Sequence, residues 1–150
     1  MKRVEVSTVI GAGPERLWEF FSDTSRWSDW AAFTDEVLDH EPLGEGAVYR
    51  NRSHIGPIRQ VSEWRITEWD PPRLQVHEGK APPVNPVLTV TLEPVAEGTR
   101  LTQVAVFSMP RWLGPLGALL EKVPERMIRK GLEETQANLK RIMETENPEA

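Results

Sequence analysis

The stretch VLTVTLEPVAEGTRLTQVAVFS, residues 87–108, carries the clearest structural signal in the sequence. Leu88, Val90 and Leu92 alternate with threonine and glutamate, and residues 99–108 continue the same period of two. This period puts successive side chains on opposite faces and predicts two half-buried β-strands. The short segment between the two runs contains one proline and one glycine, which suits a tight connection. We therefore expect the two strands to pair as an antiparallel hairpin.

Shorter runs upstream show the same extended pattern and are bounded by glycine, proline or aspartate. They predict further strands at residues 3–10, 35–41, 47–54, 59–69 and 73–78. The segments Leu43-Gly44-Glu45-Gly46 and His54-Ile55-Gly56-Pro57 are typical of hairpin turns. Strands joined by short turns are antiparallel neighbours, because parallel pairs need long crossovers. The pattern predicts an antiparallel meander.

Helical signals lie near both ends of the chain. Pro14 suits the first position of a short helix, and Trp27 and Trp30 lie in a second short helix. Apolar residues at helical spacing fill the last forty residues, where Pro124 either kinks the helix or begins its second, longer part. This long helix is the element available to cover one face of the sheet. We expect one α+β domain over residues 1–150: a curved antiparallel sheet of six to seven strands that grips a long C-terminal helix, with two short helices after the first strand.

Five motifs run in order from the first helix to the last strand. They are Pro14-Glu15-Arg16-Leu17-Trp18, Trp27-Ser28-Asp29-Trp30, Leu43-Gly44-Glu45-Gly46, Ile66-Thr67-Glu68-Trp69-Asp70-Pro71-Pro72-Arg73-Leu74 and Gly98-Thr99-Arg100-Leu101-Thr102. With the order of elements across residues 4 to 143, they make the chain resemble the START-like helix-grip superfamily. Within that superfamily the chain resembles the polyketide cyclase/dehydrase-type proteins.

The resemblance implies a mainly apolar pocket between the concave face of the sheet and the last helix. Proteins of this fold include lipid carriers, hormone and allergen-type binders, polyketide aromatases and cyclases, chaperone activators and toxin-like ribosome-binding proteins, so the fold alone does not select a function. Our leading hypothesis is binding of a small hydrophobic ligand, such as a lipid, polyketide or aromatic metabolite. One alternative is a polyketide cyclase or dehydratase that uses acid–base side chains in the same cavity. The other is a protein-interaction module or co-chaperone-like homodimer.

Composition narrows the classes of function. The chain has no cysteine, which excludes disulfides, thiolate catalysis and cysteine-ligated zinc. Its net charge of -5 argues against a nucleic-acid partner. No apolar signal segment follows the N-terminus, and no apolar run approaches the roughly 20 residues of a membrane-spanning helix. We expect a cytoplasmic protein without stable membrane insertion. The three histidines fit no metal-binding spacing, and we expect neither a metal nor a cofactor.

Inward strand positions and the apolar stripe of the last helix supply the candidate pocket residues. These are Trp30, Phe33, Tyr49, Trp64, His77, Val90, Phe107, Leu120 and Met127. Ordinary core packing is the alternative for each of them. If His77 projects inward opposite Tyr49, an imidazole beside a phenol can serve as the acid–base pair of an enolisation or dehydration. Alternation puts Arg50 and Arg52 on the face opposite Tyr49, towards solvent.

The segment MPRWLGPLG, residues 109–117, joins the last strand to the helix with two prolines and two glycines. It is either a lid over the mouth of the pocket, with glycine hinges, or a rigid connector with Trp112 packed down. In the interaction hypothesis, Trp112 and Leu113 instead form an outward apolar patch.

Overall fold

The alternating stretches pair into one antiparallel sheet in the computed structural model, which describes residues 2–82 and 84–146. The strands are β1 (Lys2–Ile10), β2 (Thr34–His40), β3 (Val48–Ile55), β4 (Ile58–Asp70), β5 (Leu74–Lys80), β6 (Val87–Val95) and β7 (Gly98–Phe107). The helices are α1 (Pro14–Phe21), α2 (Trp27–Trp30), α3 (Pro115–Leu120) and α4 (Lys122–Glu146), with 3-10 turns at Thr24–Arg26 and Arg111–Leu113. The predicted α+β helix-grip architecture is confirmed.

The sheet has the order β1-β7-β6-β5-β4-β3-β2. The predicted hairpin of residues 87–108 is present, with Val87 opposite Val106 and Val95 opposite Gly98. The pairing register shifts within β2–β3 and again within β4–β5. Such bulges bend the strand that carries the extra residue, so they contribute to the curvature that makes one face concave.

Helix α4 packs mainly against the edge strand β1. Gln136 Nε2 donates a hydrogen bond to the Val6 carbonyl and Lys140 Nζ donates one to the Val9 carbonyl, both at 2.8 Å. These bonds hold the helix over one side of the sheet. Space therefore remains between α4 and the concave face of the middle strands.

Pro124 begins the longer helix rather than kinking it. Glu121 separates α3 from α4, and Pro124 is the third residue of α4. In the first turn of a helix the backbone N–H has no intrahelical partner, so proline is tolerated there.

The buried apolar residues form two clusters. The larger one contains side chains of α1, α2 and the C-terminal half of α4, including Trp18, Trp30 and Leu139. The smaller one joins β1 and β7 to the middle of α4 and includes Val4 and Phe107. Leu88 packs against both clusters, and the candidate site lies where they meet.

The connector of residues 109–117 leads into α3. Trp112 has 83% of its surface exposed, so the interpretation with Trp112 packed down is wrong. The interpretation as a lid stays a prediction.

Candidate functional site

A cavity lies between the concave face of the sheet and α4. Its wall is built from inward side chains of β3 to β7, from residues in and around α2, and from α4. The cavity has a volume of about 140 Å³. The wall takes residues from both apolar clusters, for example Trp30 from the larger and Leu132 from the smaller. The cavity is therefore a part of the interior that side chains do not fill.

Six of the nine predicted pocket residues lie in this wall. They are Trp30, Phe33, Tyr49, Trp64, His77 and Val90. Strand alternation accounts for the four on β3 to β6, because each sits at an inward position of its strand. That they contact a ligand stays a prediction.

The other three residues do not line the cavity. Phe107 is buried in the smaller apolar cluster. Leu120 ends α3 and is 38% exposed, because the break at Glu121 interrupts the helical stripe that was expected to carry it inward. Met127 lies against Gly56 in the β3–β4 turn, outside the wall.

Several polar wall residues were missed by the sequence analysis. Asn51 and Ser53 follow Tyr49 at alternate positions of β3, and Gln75 precedes His77 by two residues on β5. The alternation that places Tyr49 and His77 inward also places these neighbours inward. The alternation of β3 and β5 therefore already indicated these polar wall positions.

Tyr49, His77 and Gln75 form a hydrogen-bonded chain. The Tyr49 hydroxyl lies 2.8 Å from His77 Nδ1, and His77 Nε2 lies 2.9 Å from Gln75 Oε1. An amide oxygen can only accept a hydrogen bond. Neutral His77 therefore carries its proton on Nε2, and this N–H donates a hydrogen bond to Gln75 Oε1. His77 Nδ1 then has a free lone pair and accepts the Tyr49 O–H.

Burial keeps both ionisable members of this chain neutral. It lowers the pKa of His77 from 6.5 to about 4 and raises the pKa of Tyr49 above its ordinary value of 10. The charged form of each group would lose its hydration in this interior. Near pH 7 the chain is therefore an uncharged phenol and an uncharged imidazole.

A second polar chain crosses β3 and β4. Ser62 Oγ donates to Asn51 Oδ1 at 2.5 Å and accepts from Trp64 Nε1 at 3.0 Å. Ser53 Oγ lies 3.0 Å from the same Ser62 hydroxyl. These bonds fix the Trp64 indole, whose plane lies parallel to the Tyr49 ring within 5°.

Two buried donors at the site have no hydrogen-bond partner among the described residues. They are Trp30 Nε1 and Gln75 Nε2, and both residues line the cavity. Trp30 is 6% exposed and Gln75 is 2% exposed, so bulk water does not satisfy these N–H groups. A buried donor without a partner is destabilising by roughly 1–3 kcal/mol. An acceptor atom of a bound molecule would remove that penalty.

Among the residues that the structure describes, no aspartate, glutamate, lysine or arginine lines the wall. Arg50 and Arg52 face outward as predicted and form ion pairs with Asp39 and Glu36. In residues 2–82 and 84–146, no three histidine, aspartate or glutamate side chains come close enough together to hold a metal ion.

Residues 1–144 match the family described as polyketide cyclase/dehydrase and lipid transport. The chain belongs to this family. The uncharacterized protein Rv1546 from Mycobacterium tuberculosis is 25% identical over 137 residues, which are 89% of this chain and 96% of Rv1546.

Solved structures share the fold of this chain. Protein CV1439 from Chromobacterium violaceum has 19% identity and a TM-score of 0.72, with coverage of 95% of this chain and 97% of CV1439. The Zhui aromatase/cyclase from Streptomyces sp. R1128 has 19% identity, a TM-score of 0.72 and coverage of 94% of each chain. The di-domain aromatase/cyclase BexL has 14% identity and a TM-score of 0.77 over 95% of this chain and 50% of BexL. At these identities the likeness establishes the helix-grip fold.

Proposed function

We propose that this polyketide cyclase/dehydrase-family protein binds a small, neutral, mainly apolar molecule that carries hydrogen-bond-accepting oxygens. The observation that carries the proposal is a pair of buried donors on one cavity wall, Trp30 Nε1 and Gln75 Nε2, that have no partner in the described part of the chain. Such pockets combine an apolar wall with a few polar groups that fix the orientation of a ligand.

The electrostatics of the wall support a neutral ligand. No charged side chain of the described part of the chain lines the cavity, and His77 is neutral near pH 7. Burying an unpaired carboxylate or ammonium group would lose its hydration without a compensating ion pair. Carbonyl, ether or hydroxyl oxygens can instead accept from the two donors at a much smaller desolvation penalty.

Catalysis of a cyclisation or dehydration is the second candidate, and the 2.8 Å contact between Tyr49 and His77 favours it. Three features make it the weaker one. A base whose pKa is about 4 is poorly matched to proton abstraction near pH 7. The His77 Nδ1 lone pair is occupied by Tyr49, and the described wall residues include no cation that could stabilise an enolate.

The test uses three naphthalenes of matched shape: 2-acetylnaphthalene, 2-ethylnaphthalene and 2-naphthoate, with affinities measured by calorimetry. We expect the ketone to bind at least about fivefold more tightly than the hydrocarbon, because one hydrogen bond contributes about 1 kcal/mol. We expect no measurable binding of the carboxylate. Similar affinities for the three compounds would contradict the proposal.

A cavity-filling variant tests whether these compounds occupy this site. Ala105 lines the cavity, so Ala105→Leu should lower the affinity for both neutral naphthalenes. Ala137 lies on the exposed face of α4, and Ala137→Leu is the matched control, with unchanged affinity expected.

The enzymatic alternative is checked by mass spectrometry of a linear poly-β-ketone thioester incubated with the protein. Loss of water from the thioester with the wild-type protein, but not with Tyr49→Phe or His77→Gln, would favour catalysis.

A further inference from the structure

An apolar surface projects from the molecule where the sheet passes into the last helix. It comprises Trp112, Leu116, Leu119, Leu120 and Val123, and we call it the apolar rim. Trp112 is 83% exposed and the other four are 38–61% exposed. These residues lie on the 3-10 turn Arg111–Leu113, on α3 and on the first turn of α4. So many large apolar side chains, exposed within twelve consecutive positions, mark a surface that contacts something apolar.

The apolar rim lies beside one end of the cavity. Met127, one helical turn after Val123, packs its methyl group against Gly56 in the β3–β4 turn. Next to that turn, Ile55 lines the cavity and is half-buried. Ile58 lies on the same face of β4 as the wall residue Gln60 and is 54% exposed. Exposed apolar groups therefore flank this end of the cavity on both the helix side and the hairpin side.

Positive charge accompanies the apolar rim. Residues 111–130 contain five cations (Arg111, Lys122, Arg126, Arg129 and Lys130) and two anions (Glu121 and Glu125), a net charge of +3. The whole chain carries -5. Arg111, Lys122 and Arg126 are exposed, and on the hairpin side Arg59 is exposed as well. The local charge thus opposes the charge of the whole molecule.

We infer that the apolar rim is a docking surface for an anionic lipid bilayer. Tryptophan and leucine beside exposed lysine and arginine are the composition of segments that lie in a membrane interface. No helix in residues 2–82 and 84–146 is long and apolar enough to cross a membrane, so the contact is with the surface. Each lysine or arginine near an anionic surface contributes about 1 kcal/mol to attraction.

A second copy of the chain fits the apolar rim less well. A twofold interface brings the same patch of both copies together. It would place Arg111, Lys122 and Arg126 near their own symmetry mates, and like charges in an interface are repulsive. An anionic bilayer has the complementary charge.

Docking here would give a water-insoluble ligand a short path between the bilayer and the cavity. That consequence rests on the proposed ligand-binding function, whereas the docking itself does not. Vesicle binding and naphthalene binding are separate measurements, so failure of one proposal is distinguishable from failure of the other.

The experiment is flotation of the purified chain with two kinds of vesicle at low salt: phosphatidylcholine alone, and phosphatidylcholine with phosphatidylglycerol. We expect flotation with the anionic vesicles and little with the neutral ones. Trp112→Ser should lower partitioning by about tenfold or more, because a large side chain loses its burial in the interface. The triple variant Arg111→Glu/Lys122→Glu/Arg126→Glu should lower it by about a hundredfold.

Matched controls use exposed residues outside the apolar rim. Val61→Ser removes an exposed apolar side chain, and Arg65→Glu reverses an exposed charge on the outer face of the sheet. Both should float like the wild type, and thermal unfolding should show that every variant is folded. Absence of flotation at any anionic fraction would overturn the inference. So would a concentration-dependent dimer that Trp112→Ser dissociates, because the rim would then be covered by a second copy.

Discussion

The ring of Phe33 lies directly against the backbone of Gly131 in the middle of α4. A Cβ atom at position 131 would overlap Phe33 Cζ and Cε1 and would lie 2.9 Å from Cε2. Glycine in a helix interior is less stable than alanine by about 1 kcal/mol, so a glycine here has a packing reason. It lets an aromatic wall residue of the cavity approach the helix closely.

We expect Gly131→Ala to destabilise the protein by about 1 kcal/mol. Displacing the Phe33 ring forfeits roughly 1.5–3 kcal/mol of apolar burial, which outweighs the gain in helix propensity. In a Phe33→Ala background the ring is absent, and the same glycine substitution should stabilise the protein by up to about 1 kcal/mol. Urea unfolding of the four proteins measures both effects. An equal change in free energy of unfolding in the two backgrounds would show that the ring does not hold this position.

The Trp64 indole lies across Gly79, its register partner on β5. A Cβ atom at position 79 would be 2.8 Å from two ring carbons of Trp64. We expect Gly79→Ala to push the ring out of its place in the wall, to destabilise the fold by about 1 kcal/mol and to lower the affinity for 2-acetylnaphthalene. Calorimetry and the indole N–H resonance of Trp64 report these changes. Apart from its two chain neighbours, no described residue has a heavy atom within 4 Å of a Cβ atom at position 44, so Gly44→Ala should leave both unchanged.

Much of the fold followed from sequence periodicity. Turns at Gly46 and Gly56 and the alternation of residues 87–108 predicted the antiparallel order. Tyr49 and His77 were both candidate pocket residues, and alternation on β3 and β5 accounts for the inward position of each. Alternation and turn residues are local features of the sequence, and the folded chain keeps both.

The wrong predictions concern positions along an element and breaks within it, which sequence periodicity does not specify. Phe107 occupies an inward position, but its place along the strand puts it in the smaller apolar cluster. Leu120 was assigned to the apolar stripe of the last helix, but it ends α3, before the break at Glu121, and it is exposed. The shift between Ile66 and Glu68 was also absent from the sequence pattern, because a bulge is set by the pairing of two strands.

Trp30 Nε1 provides a direct test of ligand chemistry. Trp30→Phe keeps an aromatic ring and removes the unpartnered donor. We expect the affinity for 2-acetylnaphthalene to fall by about tenfold, since a ligand oxygen would lose a hydrogen bond in a buried site. The affinity for 2-ethylnaphthalene should change by less than about threefold. An equal loss for both compounds would mean that Trp30 contributes shape rather than a hydrogen bond.

Burial of neutral His77 makes the stability of the fold depend on pH. Its pKa is about 4 in the folded chain, against an ordinary value of 6.5 that applies on unfolding. Above pH 6.5 neither state binds the proton, and the stability is fully present. Between pH 6.5 and about 4 the unfolded chain binds a proton that the folded chain excludes, so stability falls as the pH falls.

We expect His77 to account for a loss of about 2 kcal/mol in unfolding free energy between pH 7 and pH 5. Urea unfolding at a series of pH values measures the loss. His77→Gln removes the titrating group and should flatten the curve by that amount, whatever its effect on stability at pH 7. His40→Gln is the matched histidine replacement at an exposed position and is measured over the same pH series. If His77→Gln loses as much stability as the wild type over this range, then the imidazole is not held neutral beside Tyr49, and the neutral wall on which the ligand proposal rests has to be abandoned.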